Sequence, residues 1–263
     1  PLGVTQELTE VLGRGKWAVV YKAPSRRQRV LVFKVAQFSG NNVQGGSDTL
    51  PPVKFIEEYE REIEVLTTLK HQNIVRFEGV LLPPSVPFGI VQEHMNGGSL
   101  GQAMQSPQWT LEQVPEAQRM RVLHDIVRGL TFMHREGYIH RDIKPFNILL
   151  CSQDCYTMHD GDNEFSPRAV QVDQDEGNPR NWVRAKIADF GTAAPLNDDE
   201  GQTLSEEVGT TGYTAPDIFG GEYGFPADVF SLAVVMWELF SGDRKNPMTG
   251  KTDDRITAEN IRP

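Results

Sequence analysis

Long apolar runs are missing from this 263-residue chain. None approaches the roughly 18 residues that a membrane-spanning helix needs, so a helical membrane span is excluded. Cysteine is scarce as well. Cys151 and Cys155 are the only two, in a C-x-x-x-C spacing without companion His or Cys ligands at zinc-site distances. A disulfide framework and a zinc centre are therefore set aside in favour of two reduced loop thiols. Basic residues are outnumbered, with 26 Lys and Arg against 36 Asp and Glu and a formal net charge of -10. That balance argues against a nucleic-acid partner, whose phosphates call for clustered cations. There is no internal repeat and no heptad run. No basic-then-apolar leader opens the chain, which starts at Pro1 rather than Met; the expectation is an excised piece of a cytoplasmic protein.

What is present is a globular composition, 38% hydrophobic and 24% charged, with length enough for one two-lobed unit. Leu8 to Ala23 read as strand, turn, strand around Leu12-Gly13-Arg14-Gly15-Lys16-Trp17-Ala18-Val19-Val20. Glycine at 13 and 15 lets the backbone bend and approach a phosphate closely. Val30 to Val35 is an apolar strand enclosing Lys34, whose ammonium needs a partner there. After a Gly/Asn/Ser/Pro-rich loop, a helix over Phe55 to Leu69 carries five glutamates. Gly89 to Glu93 reads as a buried strand leading to the connector His94 to Gly98. Thr110 and Gln113 form a capping box, Pro115 suits a first helical turn, and helical spacing from Met120 ends near Gly137.

The chemistry concentrates in His140-Arg141-Asp142-Ile143-Lys144-Pro145-Phe146-Asn147 and in Asp189-Phe190-Gly191. Asp142, Lys144, Asn147 and Asp189 supply a base, a cation and two metal-binding oxygens, which is equipment for phosphoryl transfer. Between the two strings lies Cys151 to Asn181, rich in turn residues and acidic side chains. Its Asp160-Gly161-Asp162-Asn163-Glu164 lacks the spacing of a calcium loop. Asp228 to Phe240 is apolar nearly all round, which predicts a helix buried inside a lobe.

Taken in this order, the glycine-rich turn, the lysine strand and the two chemical strings resemble a eukaryotic-type protein kinase of the serine/threonine type, closest in appearance to the tyrosine-kinase-like group. The resemblance implies an α+β, bilobal protein-kinase-like fold. Its N-lobe, residues 1–93, would be a small antiparallel sheet with one main helix. A hinge, 94–98, would lead to a mostly helical C-lobe, 99–263, truncated and carrying an acidic insertion at about 151–181. ATP and Mg2+ would be the cofactors. Leu12, Gly13, Gly15, Val20, Val32, Lys34 and Leu149 would hold the nucleotide, with Gln92 as gatekeeper and Glu93 and Met95 bonding adenine through their backbone. Asn147 and Asp189 would bind metal. Asp142 and Lys144, with Lys34 held by Glu62, would be the catalytic set.

Lysine two residues after the catalytic Asp, with Thr210 beside the pair, is the serine/threonine arrangement in this family. Thr203, Ser205, Thr210 and Thr211 are candidate regulatory phosphosites, with Arg141 facing the phosphate. Asp228 would anchor the backbone near His140. The implied function is transfer of the γ-phosphate of Mg-ATP to protein hydroxyls, with a protein substrate and a regulatory partner at the 151–181 insertion, and no nucleic acid. The alternative is a nucleotide-binding pseudokinase-like scaffold or interaction module. It is motivated by Ala18 in place of a third glycine, by Asp217 in place of the Glu that usually closes Ala-Pro-Glu, and by missing terminal helices.

Overall fold

A computed structural model describes residues 10–14, 18–24, 30–36, 53–81, 89–107, 109–151, 184–196, 204–241 and 246–248. Gly15, Thr203 and all of the acidic insertion except Cys151 lie outside the described residues. The chain forms two compact units, one of residues 1–70 and 75–94, the other of 71–74 and 95–263.

The first unit is built on an antiparallel sheet in the order β1 (Glu10–Arg14), β2 (Ala18–Pro24), β3 (Val30–Ala36), β5 (Gly89–Glu93), β4 (Phe77–Leu81). Side chains alternate across a strand. In β3 this puts Leu31, Phe33 and Val35 into a buried cluster with Val91, and turns Val32 and Lys34 to the opposite face. The register then decides which neighbours share that second face. Val20 pairs with Lys34 and Gln92 with Val32. Helix α1 (Val53–Thr68) has a buried stripe of Tyr59, Glu62, Val65 and Leu66, continued by Leu69 beyond its end. Of the five glutamates only Glu62 falls on this stripe, at 1% exposure. A carboxylate so placed must be neutralised, and the sequence provides Lys34 for it.

In the second unit, α3 (Glu116–Arg135) is the longest described helix and packs along β8 (Arg184–Ile187), which pairs with β7 (Ile148–Cys151). β6 (Tyr138–Ile139) pairs with β9 (Ala194–Pro195). Ile139, Leu196, Ala215, Ile218, Tyr223 and Ala227 form a core cluster that takes in residues from α4 (Pro216–Phe219) and α5 (Pro226–Phe240). Full burial of an aliphatic side chain such as Ile139 contributes about 1.5–3 kcal/mol. α5 departs from the expectation of burial all round. Val229, Met236 and Trp237, one stripe at helical spacing, are 55%, 46% and 54% exposed. When every face is apolar, periodicity cannot say which flank is covered.

The helix caps also differ from expectation. Thr110 Oγ1 does accept the Gln113 amide at 3.1 Å, but the residues that follow form a turn, and Pro115 becomes the N-cap of α3 rather than a residue of its first turn. The complete capping box belongs to α2 (Leu100–Gln105), where Ser99 and Gln102 each bond the other's backbone N–H at 3.1 and 3.0 Å. Just before it, Gly97 and Leu150 approach so closely that the Gly97 amide donates to the Leu150 carbonyl at 2.8 Å. A Cβ at 97 would stand 2.8 Å from that same oxygen. Gly97→Ala is therefore expected to break this bond and lower stability by about 1–3 kcal/mol, read as a reduced denaturation midpoint with an unchanged m-value.

Candidate active site

In the first unit the nucleotide residues read from sequence gather on one sheet face. Val20, Val32, Lys34 and Gln92 share it by register, and Leu12 and Gly13 lie in β1 beside β2. Lys34 Nζ stands 2.7 Å from Glu62 Oε2, with side chains 22% and 1% exposed. Tyr59 fixes the same spot from the helix, its hydroxyl donating to the Lys34 carbonyl at 2.8 Å. The ammonium is thus held in one place at the edge of the buried region, where a point cation suits phosphate oxygens. Glu93 uses its side chain locally, Oε1 accepting the Arg76 amide at 2.7 Å. Its backbone amide donates to the Arg76 carbonyl at 3.1 Å, and it pairs with Leu31 in β3.

In the second unit the catalytic string is organised by one carboxylate beneath it. Asp228 is fully buried; Oδ2 accepts the His140 amide and Oδ1 the Arg141 amide, both at 2.8 Å. His134 Nε2 lies 2.8 Å from the same Oδ2. His140 continues the scaffold. Its Nδ1 accepts the Asp142 amide at 3.2 Å, so Nε2 carries the hydrogen that reaches the Ala188 carbonyl at 3.2 Å. Its ring meets Phe190 edge-on at 5.3 Å between centroids.

Asp142 is the centre of this arrangement. Oδ2 accepts from Lys144 Nζ at 2.7 Å and from Asn147 Nδ2 at 3.0 Å, while Oδ1 accepts from the Thr210 hydroxyl at 2.6 Å. A carboxylate offers about four acceptor sites, so three are taken and one, on Oδ1, stays open. Thr210 also accepts from Lys144 Nζ at 2.7 Å, closing a ring of base, cation and hydroxyl.

Because Asn147 spends its Nδ2 on Asp142, its side-chain oxygen is the atom left to face a cation. The Asn147 carbonyl accepts the Ala188 amide at 2.9 Å, so the turn that carries Asp189 is tied directly to Asn147. Asp189 is exposed between buried Ala188 and Phe190, at φ 66. Two hard oxygen donors fit magnesium that arrives on a nucleotide, since this ion keeps waters and phosphate oxygens among its ligands. No group of three or more His, Cys, Asp and Glu side chains able to hold a metal occurs among the described residues. Leu149 is half-buried in β7, and Met95 is buried, its carbonyl accepting the Gly98 amide at 3.2 Å.

A family model of the protein kinase domain matches residues 6–263. The chain belongs to the protein kinase family. Similar proteins include the probable serine/threonine-protein kinase gdt4 of Dictyostelium discoideum, 31% identical over 89% of this kinase chain and 12% of its own length. The probable serine/threonine-protein kinase drkD of the same organism is 30% identical over 93% of this chain and 16% of its own. The mouse serine/threonine-protein kinase TNNI3K is 26% identical over 90% and 24%. The kinase chain thus spans a quarter or less of each of these relatives.

Sequence reasoning missed several residues that support this kinase loop. Thr192 links back to it, its hydroxyl donating to the His140 carbonyl at 3.1 Å. Asn73 and Asp125 hold β8 through the Ala185 carbonyl and amide at 3.0 and 3.1 Å. Tyr213 places its hydroxyl 2.9 and 3.0 Å from the two oxygens of Glu238. Burial, with the Glu238 charge beside it, pushes that hydroxyl well above the usual tyrosine range. Burial also raises the Glu238 carboxyl, against the opposing hydrogen bond from Tyr213. These are bonds between residues far apart in the chain, and no periodicity announces them. Of the expected phosphosites, Ser205 and Thr211 are exposed, whereas Thr210 is engaged with Asp142 and Lys144. No helix among the described residues is long and apolar enough to cross a membrane.

Proposed function

We propose that this kinase domain transfers the γ-phosphoryl group of ATP, carried with magnesium, to serine and threonine hydroxyls of a protein substrate. The observation that carries the reading is the Asp142 carboxylate, held by Lys144, Asn147 and Thr210 with one acceptor site open. The acceptor hydroxyl would place its proton on that site as its oxygen bonds to the γ phosphorus and the bond to the β–γ bridging oxygen breaks. Lys144 would offset charge on the transferred group. Lys34, kept in place by Glu62, would hold the α and β phosphates, and Asn147 and Asp189 would hold magnesium. Leu12, Gly13, Gly15, Val20, Val32, Gln92, Glu93, Met95 and Leu149 would contact the nucleotide.

A cytoplasmic setting and a regulatory partner at the acidic 151–181 insertion belong to the same proposal. Incubating the chain with γ-labelled ATP, magnesium and a generic protein substrate tests it. Label on phosphoserine and phosphothreonine, abolished by chelating magnesium, is the expected result. Label on tyrosine alone, or nucleotide binding with no transfer, would move the assignment to a tyrosine kinase or to a scaffold.

A further inference from the structure

Arg141 is a cation withdrawn from water. Its side chain is 1% exposed and its backbone sits at φ 70. Nε donates to the Thr192 carbonyl, Nη1 donates to the Tyr223 hydroxyl at 3.1 Å, and Nη2 is buried without a hydrogen bond. A guanidinium in such a place calls for a counter-charge. Asp228 bonds only the backbone amide of Arg141. Among the described residues, the carboxylate paired with the guanidinium is Glu206, Oε2 lying 3.0 Å from Nη1.

The Glu206 side is itself clamped. Leu204 and Tyr223 exchange both backbone hydrogen bonds, at 3.0 and 3.1 Å, and the Tyr223 hydroxyl donates to the Glu206 carbonyl at 2.6 Å. That one hydroxyl therefore accepts from Arg141 and donates to the residue that neutralises Arg141. Four residues further on, Thr210 reaches Asp142 Oδ1 at 2.6 Å. The stretch from 206 to 210 is thus pinned at both ends to two consecutive residues of the catalytic string, Glu206 to Arg141 and Thr210 to Asp142. Sequence resemblance led to the expectation of a phosphate opposite Arg141; in the structure a carboxylate from the same segment fills that role.

We propose that Glu206 is a positioning residue of the phosphoryl-transfer reaction: its carboxylate is a built-in anion that neutralises Arg141 and sets residues 204–210 so that Thr210 is delivered to Asp142 without added phosphate. This rests on the kinase assignment above. Glu206 touches no reacting atom and acts through Arg141 and the register of the segment. Its own side chain is 47% exposed, so water reaches the carboxylate but not the guanidinium. The charge, rather than the packing of the glutamate, is what the site uses.

The test compares the chain, stripped of phosphate by phosphatase and verified by mass, with Glu206→Gln, Glu206→Ala and Glu206→Asp. The dephosphorylated parent should keep its rate. Glu206→Gln and Glu206→Ala should lose about tenfold to a hundredfold in kcat, with KM for Mg-ATP moving by less than about twofold. Glu206→Asp, which restores the charge, should recover most of the loss. Amide exchange over 204–212 should accelerate in the Gln variant while α3 exchanges as in the parent. Loss of parental activity on phosphatase treatment, full activity of Glu206→Gln, or no rescue by Asp would overturn the proposal. If the parent transfers no phosphate in any state, the kinase assignment fails instead. Exchange then decides for Glu206 alone, and unchanged protection in the Gln variant would count against it.

Discussion

Asp142→Asn is expected to lower kcat by about 10²- to 10⁴-fold while KM for Mg-ATP and the melting temperature stay close to those of the parent. The amide is isosteric with the carboxylate. Its oxygen can keep accepting from Lys144 and Asn147, which both address Oδ2. Its NH2 then faces Thr210, whose hydroxyl can turn from donor to acceptor. The ring of contacts therefore survives, at a cost of about 1 kcal/mol for bonds that lose their ionic character. What disappears is the basic site left open for the substrate proton. Steady-state kinetics beside thermal melting checks both halves, and transfer within about tenfold of the parent would show that the proton goes elsewhere.

Asp228→Asn behaves differently, because neither of its oxygens faces a hydroxyl that could turn from donor to acceptor as Thr210 does at Asp142. Both of its oxygens accept buried backbone amides, and Oδ2 also meets His134. An asparagine must turn its NH2 toward either the His140 or the Arg141 amide, setting donor against donor with no water to intervene. We expect a loss of about 2–5 kcal/mol in unfolding free energy together with a fall in kcat, since the freed amides belong to the two residues before the base. Denaturant titration and kinetics on the same preparation separate the two positions. Asp142→Asn should be stable and inactive, Asp228→Asn both weakened and slow.

How much was legible in the sequence follows from the range of the interactions. The strings around Asp142 and Asp189, and the strand holding Lys34, are short and rich in residues with few structural excuses, and the structure folds each into one local arrangement. Family resemblance points to Glu62 among five glutamates, and the stripe of Tyr59, Leu66 and Leu69 offers a physical reason for the same residue. The capping rule fits Thr110 and Gln113 and equally Ser99 and Gln102; the complete box forms at Ser99, and α3 begins only after Pro115. Glu206 was invisible as a partner of Arg141, being one acidic residue among many and 65 positions away. The antiparallel bridge between Leu204 and Tyr223, with the Tyr223 hydroxyl on the Glu206 carbonyl, brings it there.

Arg141 and Asp189 share a backbone oddity, φ values of 70 and 66 in residues that carry a Cβ. Each such residue costs about 1–2 kcal/mol relative to glycine in the same pose. At exposed Asp189, unlike buried and ion-paired Arg141, a laboratory selection that rewarded heat resistance and nothing else would find glycine an easy gain, and it would enrich chains that fold well but lack the proposed metal ligand. Breeding this domain for robustness would therefore need activity in the screen from its first round.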